Sequence, residues 1–317
     1  MRRVARRIGL GRAAYLLWYR PVGWARDLIE AGGPIGKWRT GVGRRGMEAA
    51  AFELPLLPPA PGRALELHLL SGRGCWYQSA FCLWTFAHQS ARPIHPVIYD
   101  DGTLTEVHMA PLRRLFPTTR FVSQSAKAEE LDSCLPVARF PVLRERWTNY
   151  PNIRKLIDPH VGQSGWKLVI DSDLLFFRRP TFLVDWLEQP ALPLHAVDCE
   201  TSYGYSRPLM AELAGAPIAE QINVGLTGLD GAALDWDKIE YFCRELIRRE
   251  RTSYFLEQAL IAMLLAGREC AIAPAEDYVT LPSGAEARRC TAVMHHYVAG
   301  SKKWYFRYNW RNAAGTP

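Results

Sequence analysis

From residue 65 onward, short apolar runs alternate with longer helix-like stretches. Residues 65–70 (LELHLL) read as a first strand, which SGRG breaks. Residues 75–90 (CWYQSAFCLWTFAHQS) are apolar around most of a helical circumference, which predicts a buried helix. Residues 95–99 (HPVIY) predict a second strand stopped by DDG, residues 105–116 a second helix, and residues 119–123 a third strand. The stretch from 126 to 166 is less regular; within it, residues 152–157 predict a helix packed under the next strand. Residues 166–170 (WKLVI), 194–197 (LHAV) and 222–227 (INVGLT) predict further strands. Residues 237–250 and 254–265 predict helices, with Gly267 as a stop for the second. Such alternation specifies an α/β fold: a mostly parallel central sheet with helices on both faces. No internal repeat is present.

The first 60 residues are of another kind. They are rich in Arg, Gly and Pro and end in LPLLPPAPG, so they read as an extension and linker with one helix near residues 13–31. The regular fold is expected to begin at Leu65. Apart from this segment, the composition is that of an ordinary globular chain, 48% hydrophobic and 22% charged over 317 residues.

Charge changes the picture. The net charge is +7, and it is uneven: within residues 1–46, Arg2, Arg3, Arg6, Arg7, Arg12, Arg20, Arg26, Lys37, Arg39, Arg44 and Arg45 face only Asp27 and Glu30. Lys302, Lys303, Arg307 and Arg311 add a second basic cluster near the other end. This asymmetry points to an anionic partner: a membrane surface, a nucleic acid or a phosphorylated substrate. No apolar run is long enough to span a bilayer. The apolar patch over residues 13–19 is short and aromatic, and Arg20 and Pro21 follow it in place of a small-residue cleavage site. An amphipathic segment on an anionic membrane fits it better than a signal peptide; a basic tail or a helix packed on the main domain are the plainer readings. The seven cysteines are odd in number and lack CxxC spacing, which suits reduced thiols in a cytoplasmic protein, with peripheral attachment to the inner face of the membrane.

Candidate chemistry centres on residues 166–177, WKLVIDSDLLFF. A buried strand ends at Ile170, and Asp171 and Asp173 follow it two positions apart. Ligands of open α/β sheets collect at the carboxyl ends of strands. Two carboxylates there can share a divalent cation if the backbone turns after the strand, and oxygen donors suit Mg²⁺ or Mn²⁺. Such a cation offsets the charge that builds on a departing diphosphate. The plainer alternative is that Asp-Ser-Asp only caps the next turn. Tyr99-Asp100-Asp101-Gly102-Thr103-Leu104 resembles the nucleophile loop of haloacid-dehalogenase phosphatases, but Tyr99 stands where that loop needs its first Asp. Asp171-Ser172-Asp173 fails the same comparison, because Leu175 stands where Thr or Val is required.

Three more segments follow in order: Ile222-Asn223-Val224-Gly225-Leu226, Glu257-Gln258, and His296-Tyr297-Val298-Ala299-Gly300-Ser301-Lys302-Lys303-Trp304. With the aspartate pair, this series resembles retaining glycosyltransferases of the GT-A type, close in pattern to glycosyltransferase family 8, over roughly residues 65–304. The resemblance implies a GT-A fold and transfer of a sugar from a nucleoside-diphosphate sugar, UDP-linked, to an acceptor hydroxyl with retention. It implies that Asp171 and Asp173 bind the metal, that His296 is its third ligand and that Lys302 holds the diphosphate. Asn223 would face the donor sugar, Gln258 the anomeric carbon, and Glu257 the sugar hydroxyls. Less direct carry-overs give Lys155 or Arg154 to the nucleotide, Asp198 to the donor sugar, and Trp76 or Tyr77 to stacking on the base; aromatic residues opening a buried helix also serve as plain core. The family pattern is H-x-x-G-x-x-K-P-W. Here Gly300 comes one place late and Lys303 replaces Pro, so His295 is a rival ligand. Glu257 replaces Asp and reaches one methylene further.

The same resemblance implies one catalytic domain over 61–317, with a nucleotide-binding half at about 61–180 and a sugar and acceptor half at 181–317 ending in the basic, aromatic tail. Gln258 is neutral and a weak nucleophile, which favours a front-face mechanism in which the leaving diphosphate helps deprotonate the acceptor. Two other classes compete: a non-catalytic sugar- or nucleotide-binding module, although no metal ligand is lost, and a nucleic-acid-binding protein. The basic residues sit beside Trp, Tyr and Leu, which suits a membrane interface and makes nucleic acid the poorer reading. A lipid-linked or surface glycan acceptor would suit such an anchor.

Overall fold

In the computed structural model, which describes residues 31–315, regular structure begins before Leu65, with a helix α1 (Gly33–Ala51). The helix expected near residues 13–31 lies outside the described residues. Five glycines made this stretch look like linker, but two of them allow close packing. A Cβ on Gly43 would meet Phe306 O at 2.0 Å, so α1 lies directly on the C-terminal backbone. Arg307 crosses the seam and donates to Gly36 O at 2.8 Å and to Thr40 Oγ1 at 3.0 Å. The basic residues of α1 and the basic C-terminal cluster are thereby brought together.

The remaining elements follow in order: β1 (Leu65–Ser71), α2 (Trp76–Ser90), β2 (Ile94–Asp100), α3 (Glu106–Leu115) and β3 (Arg120–Val122). Next come α4 (Gln124–Cys134), α5 (Pro141–Asn149), a 3-10 turn at Pro151–Ile153, α6 (Arg154–Ile157), β4 (Trp166–Ile170), β5 (Leu174–Phe176), α7 (Thr181–Glu188), β6 (Leu194–Val197) and α8 (Arg207–Ala214). Then come β7 (Ile222–Asp230), α9 (Trp236–Glu250), α10 (Leu256–Leu264), β8 (Ala271–Ile272), β9 (Tyr278–Thr280), α11 (Gly284–Arg289), β10 (Met294–His296) and a run of C-terminal helical turns from Ala299 to Ala314. The stretch read as irregular from 126 to 166 thus holds α5, α6 and most of α4.

Seven strands form the central sheet in the order β3-β2-β1-β4-β7-β6-β8. The sheet is mostly parallel; β7 runs antiparallel to both β4 and β6. A small second sheet has the order β5-β10-β9. Side chains alternate across the central sheet, as strand geometry requires, and an irregularity between Asn223 and Thr227 switches the faces of β7. Leu168, Ile170 and Leu226 face a core shared with α1, α2 and α7, whereas Ile222, Val224 and Leu229 face one shared with α5, α8, α9 and α10. Burial on both faces explains the near-continuous apolar run of β7.

Candidate active site

The aspartate pair is the bridge between the two sheets. Past Ile170, the Asp171 N–H donates to Gly225 O at 2.9 Å, extending the central sheet by one residue. Asp173 O accepts from Tyr297 N–H at 3.1 Å, and β5 then pairs with β10, His296 opposite Leu174. The crossing brings one ligand atom each from Asp171, Asp173 and His296 to within 4.8 Å of one another. His296 Nε2 lies 3.5 Å from Asp171 Oδ2 and 3.4 Å from Asp173 Oδ1. Two partly buried carboxylates and one buried imidazole, together at a strand's carboxyl end, are a donor set that fits a divalent cation.

The ring of His296 is fixed from behind. β6 and β7 lose register at this point: His195 pairs with Thr227, but Ala196 pairs with Asn223. In this irregular stretch Asn223 Oδ1 accepts from Gly225 N–H at 2.9 Å and from His296 Nδ1 at 3.1 Å. Holding the proton on Nδ1 leaves Nε2 directed at the carboxylates. A Cβ on Gly225 would meet His296 Cε1 at 2.4 Å, so only glycine allows the ring this close.

Cations flank the acids. Lys155 Nζ lies 2.8 Å from Asp171 Oδ1 and 3.3 Å from Glu257 Oε2, and Lys302 Nζ lies 3.1 Å from Asp173 Oδ2. Burial works against ionising Asp171, but Lys155 and His296 overcome it and hold the carboxyl well below its usual range. For Asp173, burial is likewise overcome, here by His296 and Lys302. Burial also opposes the charge on His296, yet the two carboxylates raise it to about 9. Glu257 differs: burial dominates over Lys155, which is held closer by Asp171, and pushes the carboxyl up to about 7. Its Oε1 is buried with no hydrogen-bond partner among the described residues. Gln258 commits its amide hydrogens to Asp198 Oδ2 and to Ile222 O, each at 2.9 Å.

No protein-family model matches the sequence, and no curated protein does. The fold does have solved counterparts. Mouse xyloside xylosyltransferase 1, in its apo form, superposes with a TM-score of 0.52 at 10% identity, covering 75% of this chain and 99% of that one. The galactosyltransferase LgtC, solved with donor and acceptor sugar analogues, gives 0.53 at 13% identity, covering 80% and 96%. This chain has the GT-A glycosyltransferase fold. Identities this low carry the fold alone.

On this GT-A frame, most of the residues expected from sequence meet in one cleft of about 440 Å³. Asp171, Asp173 and His296 line it, and so do Lys155, Lys302, Asp198, Asn223, Glu257 and Gln258. Arg154 points elsewhere, pairing with Asp158 and donating to Asp100 O. His295, the rival ligand, faces the opposite side of β10, held at 2.9 Å from Glu286 and 3.0 Å from the Tyr297 hydroxyl.

Trp76 and Tyr77 require a correction. Each is 1% exposed in the core beneath α1, and neither lines the cleft. Phe52, just past α1, packs on Trp76, and Arg44 donates to the Tyr77 hydroxyl. So placed, neither ring is available to a base. Sequence reasoning also missed Tyr150 and Tyr254 in the cleft lining. The Tyr150 hydroxyl accepts from Glu257 N–H and donates to Tyr254 O. The one available signal was their nearness in sequence to Lys155 and Glu257.

Proposed function

We propose that this protein is a metal-dependent, retaining glycosyltransferase, a hexosyltransferase that takes its sugar from a UDP-linked donor. The observation that carries the proposal is the convergence of Asp171, Asp173 and His296, flanked by Lys155 and Lys302, at the carboxyl edge of a GT-A sheet. Asp171, Asp173 and His296 would hold Mn²⁺ or Mg²⁺, which supplies positive charge to the diphosphate of the bound donor. Lys302 adds a fixed cation on the same side. Preorganised charge of this kind stabilises a transition state by about 3 kcal/mol per group. Asn223 keeps His296 aimed and meets the donor sugar. The unpartnered oxygen of Glu257 suits a hydrogen bond from a sugar hydroxyl.

Gln258 sits beside Asp198 as a neutral amide, so retention here follows the front-face course, the departing diphosphate taking the acceptor proton. The catalytic unit is the domain over residues 61–317, with α1 packed into its core. The acceptor is a lipid-linked or surface glycan, reached from the membrane side. A panel of nucleotide sugars tested for hydrolysis, with Mn²⁺ and with chelator, checks the central statement. Metal-dependent hydrolysis of one donor is expected, with the sugar's anomeric configuration retained in transfer products. Metal-independent turnover, or none with any donor, would overturn it. A trapped glycosyl-enzyme adduct would sink the front-face course alone.

A further inference from the structure

We infer that the outer face of α1, together with the C-terminal turns packed on it, is a docking surface for an anionic phospholipid bilayer. The inference rests on the proposed function only for the membrane-borne acceptor. Ile35, Trp38 and Val42 are spaced along one helical stripe and are 73%, 66% and 41% exposed. That stripe is the reverse of a core-facing one. The helix is held by its other face, through Gly36, Gly43, Met47 and Ala51.

Cations surround the stripe. A groove of about 360 Å³ separates Trp38, Arg39 and Val42 from Trp304, Arg307 and Arg311. Arg39, Arg307 and Arg311 thus place three guanidinium groups along one groove. Acidic balance is scarce: α1 contains only Glu48, and no acidic residue follows Glu286. The chain before α1 continues the basic composition, with seven arginines against Asp27 and Glu30 in residues 1–30, beside Trp18, Tyr19 and Trp24. The exposed indole of Trp38, with Arg39, Arg307 and Arg311 along the same groove, matches the headgroup layer, where the ring enters the apolar boundary and the cations meet lipid phosphates. A nucleic-acid backbone would use the arginines but not Ile35 and Val42, which is why the bilayer is favoured.

Position supports the same surface. Lys302 lines the cleft, and Trp304 lines the groove two residues later. A bilayer under this face would therefore run beside the cleft and present its glycans there.

Sedimentation of the full chain with vesicles tests the inference. Binding is expected with phosphatidylserine present in phosphatidylcholine vesicles, weak with phosphatidylcholine alone, and reduced by salt. The double variant Arg39→Gln/Arg311→Gln should lose roughly thirtyfold, about fivefold for each cation. Trp38→Ala should weaken binding with an unchanged salt slope. Lys238→Gln/Arg268→Gln, elsewhere on the surface, should bind as the wild type does. Equal binding by the wild type and the Arg39/Arg311 variant would overturn the inference. So would an RNA homopolymer bound in place of vesicles and lost in that variant. Donor hydrolysis measured on the same samples keeps the two readings apart: an inactive chain that binds vesicles fails only the enzyme proposal, and an active chain that ignores them fails only this one.

Discussion

Lys302 and Lys303 are consecutive, yet they belong to two regions that treat charge in opposite ways. In the cleft, charges are paired with acids and mostly shielded: half-exposed Lys302 with Asp173, Lys155 with Asp171 and Glu257, and His296 with both aspartates. On the outer face, Lys303 lies over the Trp304 ring at 4.9 Å, in a region whose carboxylates are nearly absent. Buried charges need partners because desolvation is costly, and the partners fix their geometry. Surface charges keep water, so an excess is tolerated and draws external anions by its summed field. The cleft's charge is therefore built for position, the outer face's for attraction.

The largest effect expected from breaking this contrast lies in the cleft. Asp171→Asn should lower donor turnover by roughly a thousandfold. It should also weaken Mn²⁺ binding in calorimetry; unchanged Mn²⁺ affinity would refute the ligand assignment. A second effect concerns Glu257, whose carboxyl is raised from 4.5 to about 7 and so favours its neutral form in the folded chain. The stability this contributes is full below the unfolded value and is lost as pH rises through the folded one. Relative to Glu257→Gln, the wild type should therefore fall behind by about 3 kcal/mol between pH 4.5 and 7. Urea unfolding across that window checks it, and a flat difference would sink the claim.

Smaller effects sharpen the contrast. Asn223→Ala should cost roughly tenfold to a hundredfold in Mn²⁺ affinity, because His296 loses the acceptor that orients it. Retained affinity would show that Gly225 and packing suffice. Smallest is Lys303→Gln, which should weaken binding to anionic vesicles about fivefold. An effect as large as that of Asp171→Asn on donor turnover would place Lys303 in the cleft instead.

Several elements were legible in the chain because local chemistry decides them. The run WKLVI followed by Asp gives β4 its observed bounds, and LHAV does the same for β6. Less legible was α4, whose sequence QSAKAEELDSC buries only Lys127 and Leu131 and so shows almost no apolar period. α1 was hidden by its glycines, two of which are an adaptation to the C-terminal segment more than 260 residues away in the sequence. The antiparallel course of β7 was hidden too, since a buried strand has the same apolar run in either direction.

The sequence by itself determined the α/β alternation, the carboxylates placed at the end of a buried strand, and the order of Asn223, Gln258, His296 and Lys302 behind them. Tertiary structure alone chose between neighbours. The register of β10 on β5 turns His296 to the cleft and His295 to Glu286, and one residue of slip would exchange them. The turn at α6 sends Lys155 inward and Arg154 toward Asp158. The docking of α1 buries Trp76 and Tyr77 and unites two basic segments from opposite ends of the chain. Backbone preference and apolar period are local and can be read residue by residue; which side chain meets which depends on contacts between segments far apart, and these exist only once the chain has folded.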